Sequence, residues 1–191
     1  MEPDALRDKW DARYRHGGQP AAARVLLENR HLLPATGRAL DLACGLGGNA
    51  LLLAAAGLET HAWDFSSQAI GRLTAHTAGL PLYPAVRDVI AMPPAAASFD
   101  VIVVSRFLER TLCPSLAAAL RPGGLLFYQT FVGDSAGRGG PKRQDYRLAE
   151  NELLRLFADL TLHVYREEDG VGDTTRGWRE EALLVARRRK G

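Results

Sequence analysis

Two rhythms of apolar and polar residues run along this chain, and they alternate. Between residues 4 and 15, Leu6, Trp10 and Tyr14 stand four apart, which is one face of a helix. Gly17, Gly18 and Pro20 break that pattern. A second helix is predicted over 21–29, and Pro34 with Gly37 closes the region. From residue 38 short apolar runs alternate with helical patterns. Residues 39–42 read as a strand, and 49–56 as a helix closed by Gly57. A strand over 60–63 ends at Asp64, and Ser66 caps a helix running to Ala78. A short strand, 82–86, ends near Asp88. Residues 99–104 hold Val101, Ile102, Val103 and Val104 in succession, the mark of a strand buried on both faces. Pro114 opens a helix to Leu120, and Arg121-Pro122-Gly123-Gly124 turns the chain into a strand over 125–131.

Strand and helix in alternation predict a parallel sheet with helices on both faces. The tail changes character. Residues 133–147 are rich in glycine and basic side chains and carry no periodicity, so a mobile loop is expected. A helix over 151–158 follows, then two β-rich runs, 161–166 and 182–187, flanking Asp169-Gly170. They are predicted to pair antiparallel and close the sheet. The expected fold is a single α/β three-layer sandwich over 1–191, with a mostly parallel seven-stranded sheet and an antiparallel C-terminal strand. Residues 1–33 form its helical cap, 38–131 its ligand-binding core, and 151–191 its closing helix and strand pair.

Composition narrows the setting. At 191 residues, 47% apolar and 24% charged, the chain fits one soluble domain with a real core. A formal charge of +2 argues for neither nucleic acid nor an anionic membrane as partner. The basic run Arg187-Arg188-Arg189-Lys190 is read as a solvated terminus rather than a nucleic-acid patch. Cys44 and Cys113 lie far apart without metal-ligand spacing, as in a reduced, cytoplasmic protein that binds no metal. Residues 1–15 are too charged for a signal peptide. The longest apolar stretch, 50–57, is far short of the ~20 residues that span a bilayer. His16, His31 and His163 fit no metal or triad pattern.

The chemistry concentrates at Ala39-Leu-Asp-Leu-Ala-Cys-Gly-Leu-Gly-Gly-Asn-Ala50. An apolar strand carrying Asp41 leads into a turn with Gly45, Gly47 and Gly48, and a helix starts near Asn49. Backbone N–H groups at such a turn point toward a ligand, and glycine lets a nucleotide approach closely. Gly45-x-Gly47-x-x-Ala50 satisfies the dinucleotide fingerprint, with Asp64 as a candidate ribose acid. Three features favour another nucleotide. Asp41 would repel a pyrophosphate and attract an amino or sulfonium cation. Asp88 ends the third strand, where a carboxylate can accept from an adenine amine, while Asp64 accepts from ribose hydroxyls. Finally, the antiparallel tail replaces a second βαβ half.

These pieces resemble the class I S-adenosylmethionine-dependent methyltransferases, whose fold is Rossmann-like. The resemblance rests on Leu40-Asp41-Leu42-Ala43-Cys44-Gly45-Leu46-Gly47, on Asp64, on Arg87-Asp88-Val89, on Phe99-Asp100-Val101-Ile102 and on Leu120-Arg121-Pro122-Gly123-Gly124. Ala43 stands where the family often has glycine. A narrower similarity, to small bacterial tellurite-resistance and thiopurine methyltransferases, is carried by Trp10-x-x-Arg13-Tyr14, Trp63-Asp64, Gln129-Thr130-Phe131 and Glu152-Leu153-Leu154. The resemblance implies S-adenosylmethionine as cofactor and S-adenosylhomocysteine as product. It implies cofactor contacts at Asp41, Ala43, Cys44, Gly45, Gly47 and Asn49, at Asp64, Phe65 and Ser66, at Asp88 and Val89, and at Ser105 and Arg106. Arg106 has a plainer alternative, a surface ion pair. Trp10 and Tyr14 read as helix packing or as a lid over the cofactor. Arg138, Lys142, Arg143 and Arg147 belong to a solvated loop or to an anion-attracting acceptor lid.

No residue is assigned as catalytic, because the sequence offers no convincing general base. No Asn/Asp-Pro-Pro-aromatic sequence follows the fourth strand, and Cys113-Pro114 reverses the order used by cytosine C5 enzymes. A small-molecule acceptor is therefore expected. Two rival readings stand beside it: an NAD(P)-dependent oxidoreductase, and a non-catalytic cofactor-binding protein on the same fold.

Overall fold

The computed structural model describes residues 3–15, 18, 21–134 and 139–190. The readings that involve the side chain of Leu6, His16, Gly17, Pro20 and Arg138 lie outside these residues. In chain order the elements are α1 (Pro3–Arg15), α2 (Arg24–Asn29), β1 (Arg38–Leu42), α3 (Gly48–Ala55), β2 (Glu59–Asp64), α4 (Ser67–Thr74) and β3 (Leu82–Val86). They continue as β4 (Phe99–Ser105), α5 (Cys113–Ala119), β5 (Leu120–Phe131), α6 (Glu152–Leu156), β6 (Thr161–Arg166) and β7 (Glu181–Arg187). The strands form one seven-stranded sheet in the order β3-β2-β1-β4-β5-β7-β6. Neighbours from β3 through β5 pair in parallel, while β7 runs antiparallel to both β5 and β6. This is the α/β sandwich the alternation predicts.

The four apolar residues at the centre of β4 serve two cores. Val101 and Val103 face α2 and α3 with Leu26, Leu53, Phe127 and Val185. Ile102 and Val104 face α5 and α6 with Leu116, Leu126, Tyr128 and Leu153. All of these are buried. Each such side chain contributes about 1.5–3 kcal/mol, so central strands of this kind hold the sheet edge rigidly in place.

Element ends depart from expectation for local reasons. Helix α2 starts three residues late, because Ala23 is extended and its N–H donates to Asn49 Oδ1 at 2.8 Å. Helix α4 stops at Thr74 rather than Ala78. Beyond it the Thr77 hydroxyl and the His76 N–H bond back to Thr74 and Leu73 carbonyls at 2.9 and 2.8 Å. Arg121–Gly124 do not precede β5 but sit inside it, as a register shift against β4.

The segment 133–147 is read as a mobile, solvated loop, yet its described part is anchored. Arg147 is completely buried. Its guanidinium donates to the carbonyls of Pro141 at 2.9 Å, Val132 at 3.0 Å and Gly139. Arg110 reinforces it from outside, donating to Arg147 O at 2.8 Å while pairing with Glu152 at 2.6 Å. Three backbone acceptors lacking periodic partners are thus satisfied by one side chain. Arg147→Ala strands them, and unsatisfied buried groups cost ~1–3 kcal/mol each. A loss of several kcal/mol in denaturant unfolding is expected, with proteolysis within 133–147 appearing first. Wild-type cleavage rates in the variant would refute that anchoring.

No helix among the described residues is long and apolar enough to cross a membrane. No cluster of three potential metal ligands occurs among them either.

Candidate functional site

The carboxyl ends of β1, β2 and β4 meet at the glycine turn. Along it Ala43, Gly45 and Gly47 take positive φ values of 54°, 54° and 79°. The left-handed conformation at Ala43 explains why glycine is common there. Alanine bears the strain at a cost of roughly 1–2 kcal/mol.

The three glycines answer to three different constraints. A Cβ on Gly47 would stand 2.4 Å from Leu73 Cδ1 of α4. One on Gly48 would stand 2.2 Å from the carbonyl oxygen of Ala21. At Gly45 the neighbour is the side chain of Tyr14 in α1, whose hydroxyl would lie 2.9 Å from a Cβ. Gly47 and Gly48 therefore serve packing. Backbone cannot move aside as a rotamer can, so Gly48→Ala is expected to cost more than ~2 kcal/mol. Equal melting temperatures for Gly48→Ala and wild type would contradict that close approach.

Asp41 is fully buried under the turn. Its Oδ2 accepts from Ala50 N at 3.0 Å and its Oδ1 from Asn49 Nδ2 at 3.2 Å. Burial pushes its carboxyl up to about 8, against the lowering effect of both hydrogen bonds. Asn49 is buried too, and its amide joins three parts of the chain: Ala23 N, Asp41 and Ser105 Oγ, the last at 3.2 Å. Cys44 donates its N–H to Trp63 O at 3.0 Å, and burial raises its thiol well above the ordinary range. That thiol is not a nucleophile at neutral pH.

Asp64 closes β2. Its Oδ2 accepts from Gly45 N at 2.7 Å and its Oδ1 from Ser66 N at 2.9 Å. A backbone donor on each oxygen fixes the carboxylate plane. Burial raises this carboxyl as well. Ser66 caps α4, accepting from Ala69 N at 3.1 Å as the sequence predicts.

Helix α1 lies across this site. Asp11 accepts from Ser66 Oγ and, at 3.3 Å each, from Ser67 Oγ and Gln68 N. Arg72 of α4 donates to Tyr14 O at 2.7 Å. Tyr14 stacks with Trp10 at 5.8 Å between centroids, and Arg7 covers the Phe65 ring at 4.4 Å. Burial and the nearby Asp64 charge raise the Tyr14 phenol above its usual range. Asp11 escapes sequence reasoning; its place one turn before Tyr14 is the available signal.

Farther along the edge, Ser105 is tied to Asn49, and Arg106 adopts a left-handed φ of 55°. The Arg106 guanidinium pairs with Glu181 of β7 at 2.6 Å, the plainer of its two sequence readings. Glu181 also accepts from Gln129 Nε2, and Gln129 Oε1 accepts from Val25 N at 2.9 Å. Glu181 is missed by the sequence reading, and Gln129 enters it only through a family resemblance, because only the antiparallel register brings residue 181 beside residue 131. Asp88, just beyond β3, uses Oδ1 for an Asx turn onto Ile90 and Ala91 N–H at 2.9 and 3.1 Å. Val89 is buried in the core beside Trp63.

A mostly parallel seven-stranded sheet of this order, with a glycine turn after β1 and an oriented carboxylate closing β2, is the Rossmann-like fold found in class I methyltransferases. Residues 39–124 match the family model described as a methyltransferase domain. The match takes in the glycine turn, strands β1 to β4 and the first residues of β5. Among solved structures it is similar to TehB from Haemophilus influenzae, with TM-score 0.71 and 21% identity over 96% of this chain and 67% of that one. A protein solved in work on the conversion of a disulfide bond into a thioacetal group during echinomycin biosynthesis gives TM-score 0.71 and 23% identity, over 97% and 93% of the two chains. An S-adenosylmethionine-dependent methyltransferase from Mesorhizobium loti gives 0.67 and 20%, over 87% and 99%. In sequence the chain is 32% identical over 149 residues to Hemagglutinin 1 of Eikenella corrodens, covering 72% of this chain. It spans about half the length of that relative, 48%.

Proposed function

We propose that this protein transfers the methyl group of S-adenosylmethionine to a small-molecule acceptor. The observation that carries the reading is Asp64 at the end of β2, whose two oxygens are oriented by the Gly45 and Ser66 N–H groups. Two vicinal ribose hydroxyls match that pair. Asp41, Asn49 and Ala50 keep the turn in shape beneath it. Helix α1 covers it through Asp11 and Tyr14.

The bound cofactor supplies an activated methyl group on a sulfonium. The work left to the protein is to exclude water and align the acceptor, and such positioning contributes ~7–11 kcal/mol. Ser105, Gln129 and the Arg106–Glu181 pair offer polar partners for an acceptor along the edge beyond β4 and β5. An acceptor that is soft or already ionised needs no general base, and none is assigned. The protein solved in work on converting a disulfide bond into a thioacetal group is similar in fold, which is consistent with a sulfur acceptor.

Incubation with methyl-labelled S-adenosylmethionine and a panel of thiols, chalcogen oxyanions and small phenols tests this. Label in one acceptor class, with S-adenosylhomocysteine formed in equal amount, is the expected result. Tight cofactor binding with no transfer to any acceptor would favour a non-catalytic cofactor-binding protein. Binding of NAD in place of S-adenosylmethionine would favour an oxidoreductase.

A further inference from the structure

The edge of the sheet opposite the glycine turn holds a cavity of about 410 Å³. That volume lies within the ~300–1,000 Å³ usual for small-molecule sites. Its walls divide by chemistry. Leu32, Pro34 and Leu125 are apolar, whereas His163, Arg187 and Lys190 bring basic groups to the same space. The lining carboxylate, Asp100, is already engaged: it accepts from Arg121 Nη1 and from Arg38 N, both at 2.8 Å. No carboxylate among the described residues pairs with Arg187 or Lys190.

Three structural details place those basic groups together. Strand β6 slips against β7 between Leu162 and Val164, so His163 is the extra residue of a β-bulge. Bulges re-aim side chains, and this one turns His163 toward the cavity. The run 187–190, read from sequence as a solvated terminus, instead folds back along the turn inside β5. Arg188 N donates to Gly124 O and Gly123 N to Arg188 O, both at 2.9 Å, and Arg188 Nη1 reaches Ala118 O at 2.7 Å. That pairing lays Lys190 over Gly123, where a Cβ would come within 3.2 Å of its Cε. Finally, Arg187 Nε is buried without a hydrogen-bond partner. A guanidinium whose Nε finds no acceptor in the chain is one whose charge the fold leaves uncompensated.

We propose that this cavity is a binding site for a phosphate-class anion carried on a small molecule with an apolar body. The phosphate faces Arg187, Lys190 and His163, and the body lies against Leu32, Pro34 and Leu125. The site is separate from the cofactor site, which sits at the other edge of the sheet. Its ligand is not the methyl donor, because S-adenosylmethionine contains no phosphate.

Calorimetric titration of the full chain with inorganic phosphate and with phenyl phosphate tests this, against sodium chloride at matched ionic strength. Saturable binding of both is expected, with phenyl phosphate about tenfold tighter. Arg187→Gln and Lys190→Gln should each weaken it about tenfold or more while leaving S-adenosylhomocysteine affinity unchanged. Lys190 is exposed and its replacement does not threaten the fold. Absence of saturation with either anion would overturn the proposal, as would wild-type anion affinity in Lys190→Gln or competition between phosphate and S-adenosylhomocysteine. Equal affinity for the two phosphates would overturn the assignment of the apolar wall.

Discussion

Asp64→Ala is expected to weaken S-adenosylhomocysteine binding by at least about 100-fold. Two charge-assisted hydrogen bonds from ribose hydroxyls would be lost, and such bonds contribute ~1.5–3 kcal/mol each. The substitution does more than delete a ligand contact, because it also releases Gly45 N and Ser66 N. Some loss of thermal stability should accompany the loss of affinity. Asp64→Asn separates the two effects. An amide keeps one acceptor oxygen but sets an NH₂ group against a backbone N–H, so it retains part of the turn and only half of the ribose interaction. The expected order of affinity is wild type, then Asn, then Ala, measured by titration at a temperature where all three are folded. Unchanged affinity in a folded Asp64→Ala would place the ribose elsewhere and remove the main support for the proposed function.

The parts of this fold that were legible in the sequence are those governed by local pattern. The β4 run from Val101 to Val104 announces a strand buried on both faces, and Ser66 announces the start of α4. The antiparallel pairing of β6 with β7 was legible as well, from two β-rich runs at the end of the chain. Asp41, Gly45, Asn49, Asp64 and Ser66 do gather at one turn. What the spacing did not disclose is how they divide the labour. Gly47 and Gly48 look identical to Gly45 in sequence, but they are held by Leu73 and Ala21, residues far away along the chain. Arg147 reads as a loop cation, yet its surroundings depend on Val132, Gly139 and Pro141 closing around it. Glu181 beside Gln129, and Arg187 lining one cavity with His163, are products of strand register and its bulge. Residue pattern carries period and turn chemistry, while contacts between distant segments are set by how the elements pack.

Asp41 makes the cofactor-free protein less stable as pH rises through neutrality. An exposed aspartate in the unfolded chain ionises near 3.8, whereas burial raises the folded-state value to about 8. Between those values the folded state holds one proton more than the unfolded state. Stability must then fall with rising pH at ~1.4 kcal/mol per unit over that window. The decline is expected to total about 3 kcal/mol between pH 5.5 and 8; the Asp64 carboxyl, also raised by burial, acts on stability with the same sign. Carboxylates held low, such as Asp11, Glu152 and Glu168, act on stability only at more acidic pH. Asp41→Asn tests the assignment. Its amide cannot accept from both Ala50 N and Asn49 Nδ2, so at pH 5.5 the variant should be about 1–3 kcal/mol less stable than wild type. Lacking a titrating group at residue 41, it should lose most of the slope, and the two proteins should converge by pH 8. Denaturant unfolding at several pH values checks this directly. Parallel pH profiles for Asp41→Asn and wild type would show that the buried carboxyl is ionised throughout. The turn would then owe its shape to a charged acceptor rather than a neutral one.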